Sequence, residues 1–182
     1  MVGASMDEKA IFNMVQRATQ KNAGNEYNWQ PALLRGLAQG IESNKPDDLH
    51  HATANLLASS VFAHPSMALK GAAIQVLEGI GLDKVSWKEE ALAKAKAIAM
   101  NTSLSGEERS IGIRFLSMGN ISQFHDMLVS LVDPSEPLPV QLAAFRTLSK
   151  SENDSFSQMV LKRWEGFTPE LRDAAISAMM RN

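Results

Sequence analysis

Apolar side chains recur along this chain at helical spacing, in one short pattern that appears five times. The copies are Pro31-Ala-Leu-Leu-Arg-Gly-Leu37, Gly71-Ala-Ala-Ile-Gln-Val-Leu77, Ser110-Ile-Gly-Ile-Arg-Phe-Leu116, Leu142-Ala-Ala-Phe-Arg-Thr-Leu148 and Asp173-Ala-Ala-Ile-Ser-Ala-Met179. Aligned, they give a column of large apolar residues: Leu34, Ile74, Ile113, Phe145 and Ile176. A second column follows three residues later: Leu37, Leu77, Leu116, Leu148 and Met179. Residues three apart share a helix face, so each copy predicts one apolar stripe. The copies start 40, 39, 32 and 31 residues apart. A period in this range is the signature of stacked helical repeats, in which each repeat buries its stripe against the next. The predicted fold is all-α, an α-solenoid of about five antiparallel helix pairs.

Helix boundaries follow from caps and breakers. Asp7 caps a first helix running to about Lys21, and Asn28 caps one with Pro31 in its first turn. Pro46-Asp47-Asp48 opens a third, which ends near His64-Pro65. Ser66 to Ile80 comes next, stopped by Gly79 and Gly81. Ser86-Trp-Lys-Glu89 and Ser105-Gly-Glu-Glu108 are capping-box patterns that open two further helices, the first over Trp87 to Met100. Asn120 to Val132, Pro139 to Lys150, Asp154 to Trp164 and Thr168 to Arg181 complete the series. Three prolines in Asp133-Pro-Ser-Glu-Pro-Leu-Pro139 predict a rigid corner between repeats rather than a domain boundary. Strand signals are weak, and no Asn-Gly or Asp-Gly hairpin turn occurs. Residues 1–6 form a tail or cloning remnant, and residues 7–182 one helical repeat domain.

The other columns carry different information. One and two positions before the large column stand Leu33, Ala73, Gly112, Ala144, Ala175 and Ala32, Ala72, Ile111, Ala143, Ala174. Most are small, as close helix approach requires. Just after the large column stand Arg35, Gln75, Arg114, Arg146 and Ser177. Four positions before it stand Gln30, Lys70, Arg109, Gln141 and Arg172. In a solenoid, equivalent positions stack roughly 10 Å apart, so two polar ladders are expected. Arg35, Gln75, Arg114 and Arg146, with Lys70, Arg109 and Arg172, are the candidate interaction residues. Their structural alternative, which the pattern favours, is a set of inter-repeat hydrogen bonds and solvated arginines whose stems cover apolar surface.

Charge narrows the partners. Twenty acidic against eighteen basic residues give a net charge of −2. Nucleic-acid binders of this size carry a basic face, so neither nucleic acid nor a bare anionic membrane is expected as partner. No window approaches the roughly 18 uninterrupted apolar residues of a membrane span, and the N-terminus lacks the features of a signal peptide. Cysteine is absent, which removes disulfides, thiol catalysis, cysteine-ligated metal and covalent c-type haem within this chain. His50-His51 is the only histidine pair, and neighbours on a helix point about 100° apart. His64 and His125 lie at helix ends, so no metal site is predicted. The acid pairs Asp47-Asp48, Glu89-Glu90 and Glu107-Glu108 sit in first turns, where they suit the helix dipole. Trp29, Trp87 and Trp164 fall in different repeats and fill gaps rather than form a stacking platform. No catalytic motif occurs, so no catalytic, cofactor or metal residues are assigned and no enzyme is expected.

The run Pro169-Glu-Leu-Arg-Asp-Ala-Ala-Ile-Ser-Ala178 resembles HEAT repeats. Trp29 to Gly40, Leu131 to Phe145 and Arg163 to Arg172 resemble segments of the HEAT-like region of large planctomycete multidomain proteins. Those proteins are described as PVC-type haem-binding or membrane-bound dehydrogenase-like. The resemblance implies a middle module between a glucose-dehydrogenase-like propeller and a c-type cytochrome domain bearing Cys-x-x-Cys-His. It implies a periplasmic or exported setting and a non-catalytic role as spacer. The haem motif and the propeller's active-site residues have no counterpart here, so no functional residue is carried over. The alternatives are a stand-alone peptide- or protein-binding adaptor and, less favoured, a helical-repeat enzyme such as a DNA glycosylase or lyase. Leu171, Ile176 and Met179 suggest an apolar face near the end that a following module would cover. The terminal repeats are therefore expected to associate, as a homodimer or end to end.

Overall fold

The computed structural model describes residues 8–20, 29–43, 51–151 and 155–180. Among these, all regular structure is helical and no strand occurs. Expected starts at Asp7, Asn28, Pro46-Asp47-Asp48 and Asp154, together with His50, lie outside the described residues. The chain divides into two compact units, Met1–Ala91 and Leu92–Asn182.

The first unit contains α1 (Glu8–Thr19), α2 (Trp29–Ser43), α3 (His51–Ala63) and α4 (Met67–Ile80), then a 3-10 turn at Leu82–Lys84. Helix α4 packs on both α2 and α3, and α1 packs on α2 and α3. Leu34, Leu37, Ile74 and Leu77 of the two apolar columns are buried here with Ile11, Val15, Leu57 and Leu69. Removing such side chains from water is what holds short helices that would be marginal alone. Ser66 caps α4 by accepting from the Leu69 amide, and Gly81, at φ +81°, ends it by donating its amide to the Leu77 carbonyl. That backbone conformation favours glycine. Gly79 does not stop the helix as its sequence suggested. It stands inside α4, where Ile41 of α2 presses on its Cα face.

The boundary between the units falls within α5 (Lys88–Met100). The second unit continues with α6 (Gly106–Leu116), α7 (His125–Ser130), α8 (Leu138–Leu148), α9 (Ser155–Arg163) and α10 (Pro169–Met179). Short 3-10 turns precede α7 (Ile121–Phe124) and follow α9 (Trp164–Gly166). The helix expected over Asn120 to Val132 is thus broken into two pieces, although Asn120 does cap its start by accepting from the Ser122 amide. Ser105 and Glu108 form the reciprocal capping box. Ser86 does not cap α5 in this way. Its amide and hydroxyl are held by the Asn55 side chain on α3, so the expected first box gives way to a tertiary contact.

In this unit α8 packs on α6, α7 and α10. Gly106 at the start of α6 lies against Pro137 and Pro139 at the start of α8. At the other end, the Thr147 hydroxyl reaches the Ile113 carbonyl and Lys150 donates to the Ser117 hydroxyl. Starts meet starts and ends meet ends, so α6 and α8 run in the same direction. Ile113, Leu116, Phe145 and Leu148 are buried, and Phe145 takes the edges of Phe156 (5.0 Å) and Phe167 (5.6 Å). Such pairs are stabilised by the ring quadrupole beyond their buried area. Among the described glycines, Gly112 makes the tightest approach. A Cβ there would stand 2.6 Å from the Ala95 carbonyl oxygen and 3.0 Å from the Ala99 nitrogen of α5.

The last copy of the pattern departs from the others. Helix α10 buries Leu171, Ala175 and Ala178 and leaves Ile176 48% and Met179 42% exposed, with Met180 82% exposed just beyond. The physical reason is plain from Phe145, which is covered by the elements that follow α8. No described element follows α10.

Candidate interaction surface

The two polar columns part company in the structure. The one four residues before the apolar column is largely a set of backbone clamps. Gln30 is buried and donates to the Gln20 carbonyl (3.0 Å). Arg109 is 3% exposed and donates from Nε to the Ala99 carbonyl at 2.9 Å. Its two terminal nitrogens grip both oxygens of Glu136 at 2.6 and 3.0 Å. Gln141 donates to the Glu136 carbonyl. Arg172 donates to the Glu165 carbonyl at 3.2 Å and lies 5.8 Å from the Trp164 ring centre. In each case the side chain, in the first turns of its helix, ties down the end of the segment that precedes that helix. Lys70 is half-buried. Arg109 therefore faces inward and presents no guanidinium to a partner, because burial there requires the bidentate carboxylate it has.

Two of these clamps, Arg109 and Gln141, meet at Glu136 in the proline corner. Asp133 Oδ1 accepts from the Ser135 amide (3.0 Å) and hydroxyl (2.6 Å). The Ser135 hydroxyl, then its amide, hold the Asp133 carboxyl below the ordinary carboxylate range. The Glu136 amide donates back to the Asp133 carbonyl, and the Glu136 carboxylate meets Arg109. The corner is thus fixed by five side chains, those of Asp133, Ser135, Glu136, Arg109 and Gln141, as well as by its prolines.

The other column does face outward. Arg35, Gln75, Arg146 and Ser177 are exposed and Arg114 is half-buried. Arg146 and Ser177 come together at an open groove of about 930 Å³ between α8 and α10. Its α8 side carries Leu142, Arg146, Ser149 and Lys150; its α10 side carries Glu170, Asp173, Ala174, Ser177 and Ala178. The spacings are three to four residues on each side, so each wall is one helix face. The α8 wall is basic and the α10 wall acidic. Among the described residues, no ion pair joins Arg146 to Glu170 or Asp173. Helix dipoles account for part of this arrangement, since the acids lie in the first turns of α10 and the bases at the end of α8. The periodicity makes Arg146 a candidate but does not mark the acidic wall, because Glu170 lies before the pattern and Asp173 fills a position where the other copies have Pro31, Gly71, Ser110 and Leu142.

The histidines serve locally. His51 pairs with the Lys84 carbonyl at 2.7 Å, His64 accepts from the Ser66 amide, and His125 meets Asp126. Among the described residues, no three histidine or acidic side chains converge as a metal site would need. Trp87 packs against Phe62, and Trp164 against Phe167 and Arg172. Trp29 is 43% exposed. Compared with known families, with curated proteins and with solved structures, the chain matches none.

Proposed function

We propose that this chain is a non-catalytic α-helical repeat scaffold, a HEAT-like α-solenoid whose work is to hold other protein surfaces at a set geometry. The observation that carries this reading is a recurring separation. Side-chain contacts join residues 31 apart (Asn55 to Ser86), 33 apart (His51 to Lys84 and Lys150 to Ser117) and 34 apart (Thr147 to Ile113 and Arg163 to Val129). In the second unit these separations, 33 and 34, lie within three residues of the 32- and 31-residue spacing of the later copies of the apolar pattern, and the two in the first unit fall short of the 40 and 39 of the earlier copies. A near-constant offset of this size in the second unit is what translation by one repeat produces when each repeat touches its neighbour. The open α8–α10 groove is the binding face in this account.

The resemblance to the HEAT-like region of PVC-type haem-binding proteins gives the scaffold a setting: a spacer between a propeller and a c-type cytochrome in an exported redox protein. Sequencing the genomic reading frame outward from both ends of this segment tests it. A long frame with a downstream Cys-x-x-Cys-His is the expected result. A frame that begins and ends with this chain removes the spacer role and leaves the stand-alone adaptor, which the groove favours.

A further inference from the structure

The α8–α10 groove has a property that selects among partners. Its walls carry two bases, Arg146 and Lys150, against two acids, Glu170 and Asp173. A partner of one sign suits one wall and is repelled by the other. A polyanion meets Glu170 and Asp173, and a basic peptide meets Arg146 and Lys150. The best-matched partner carries both signs, side by side and in reversed order. A second copy of this chain, turned by a two-fold axis, has that pattern by symmetry. Its α10 wall lies on the first copy's α8 wall, and the reverse pairing forms at the same time. Two-fold interfaces are self-complementary in this sense.

A second observation points the same way. On α10, Ile176 stands three residues after Asp173, and Met180 follows Ser177 by the same step. Both therefore lie along the flank of the acidic wall, exposed by 48% and 82%. Contiguous exposed apolar side chains beside a patterned charged groove are a feature of association surfaces. The small residues Ala174 and Ala178 in the α10 wall leave room for close approach.

We infer that this chain forms a two-fold homodimer through the α8–α10 groove, with Arg146 and Lys150 of each copy facing Glu170 and Asp173 of the other. This rests on the reading of that groove as the binding face. Complementary charge gives such an interface its register and makes it sensitive to salt.

Sedimentation equilibrium on the full chain, at low and high salt, tests it with four proteins. The parent chain should dimerise, and the dimer should weaken as salt rises. R146E/K150E makes both walls acidic, and E170K/D173K makes both walls basic. Each should sediment as a monomer, with self-association weakened at least ten-fold. Mixed in equal amounts, the two should regain dimers, because each acidic wall then meets a basic one. The variant carrying all four substitutions should dimerise again. It keeps every altered helix-end charge, so its recovery separates interface repulsion from loss of folding.

A parent chain that stays monomeric to about 1 mM, equivalent to an interaction weaker than roughly 4 kcal/mol, overturns the proposal. So do dimers that persist in both two-residue variants, or a mixture that fails to recover. None of these results bears on the parent reading frame, so the scaffold reading stands or falls separately.

Discussion

The Arg109–Glu136 pair separates a clamp from a binding strip. Arg109 makes three hydrogen bonds, to the Ala99 carbonyl and to both Glu136 oxygens, with its side chain 4% exposed against 21% for Glu136. Exposure makes the two partners unequal. Replacing Glu136 by Ala strands a guanidinium that water cannot reach, with one carbonyl left as partner. Breaking a buried pair in this way costs about 3–5 kcal/mol, and the partial exposure of Glu136 puts the value near 3 kcal/mol. Replacing Arg109 by Met keeps the packing of the stem and leaves a carboxylate that water can solvate. About 1.5–3 kcal/mol, the range for hydrogen bonds to a charged group, is then lost.

The double variant R109M/E136L removes both charges and should recover most of the larger loss, because no unpaired charge remains. The assay is urea unfolding followed by Trp164 fluorescence, with Trp29 and Trp87 replaced by Phe so that the signal reports residues 92–182. In heat, 3 kcal/mol corresponds to a fall of about 6–12 °C for a chain of this size. Solvated surface pairs contribute about 0–1 kcal/mol. A loss below about 0.5 kcal/mol for Glu136→Ala, or strictly additive effects of the two substitutions, would falsify the clamp and return Arg109 to the surface ladder.

Other outcomes follow from the same structure. Gly112→Ala gains about 1 kcal/mol of helix propensity, yet its new Cβ presses on the α5 backbone at 2.6 Å. Overpacking of this kind costs about 1–3 kcal/mol, so thermal melting should show a net loss, and a gain in stability would contradict the close approach. Ser105→Ala removes the capping box of α6 and should lower stability by about 1 kcal/mol, whereas an unchanged urea midpoint would show the cap to be idle. For Asp133, carbon NMR titration should find a pKa below the ordinary carboxylate value, with Ser135→Ala moving it back up. A lowered folded-state pKa means that the contribution of the turn is present above the ordinary range and lost as pH falls through the folded value. Asp133 titrating at the ordinary value would remove that bond from the account.

Much of this molecule is legible in its pattern of apolar residues, and the exceptions have physical causes. Leu34, Ile74, Ile113 and Phe145 are buried as the periodicity predicts, because each has a helix packed over it. Ile176 and Met179 fit the same pattern but are exposed, since burial depends on a neighbour that the pattern of one helix does not contain. Ser86 reads as a cap from local sequence, yet Asn55, 31 residues away, holds its amide and hydroxyl. Repetition of polar residues in two columns was visible. Which column turns inward was not, because Arg109 is buried only through Glu136, a residue that lies in the proline corner and outside every repeated column. The acidic wall of the groove is hidden because Glu170 lies before the pattern and Asp173 fills a position where no other copy carries an acid.

In a repeat scaffold successive helix pairs are equivalent, so that one can stand in for another. Excision of residues 138–168 removes one 31-residue period and delivers α10 to the place of α8 against α6. A repeat scaffold should remain helical by circular dichroism and unfold cooperatively, at a lower temperature than the parent. A control lacking residues 145–168, which breaks the period, should lose its cooperative transition. Loss of helicity and cooperativity in both deletions alike would contradict the repeat account, because helices in a non-repeating bundle cannot exchange places.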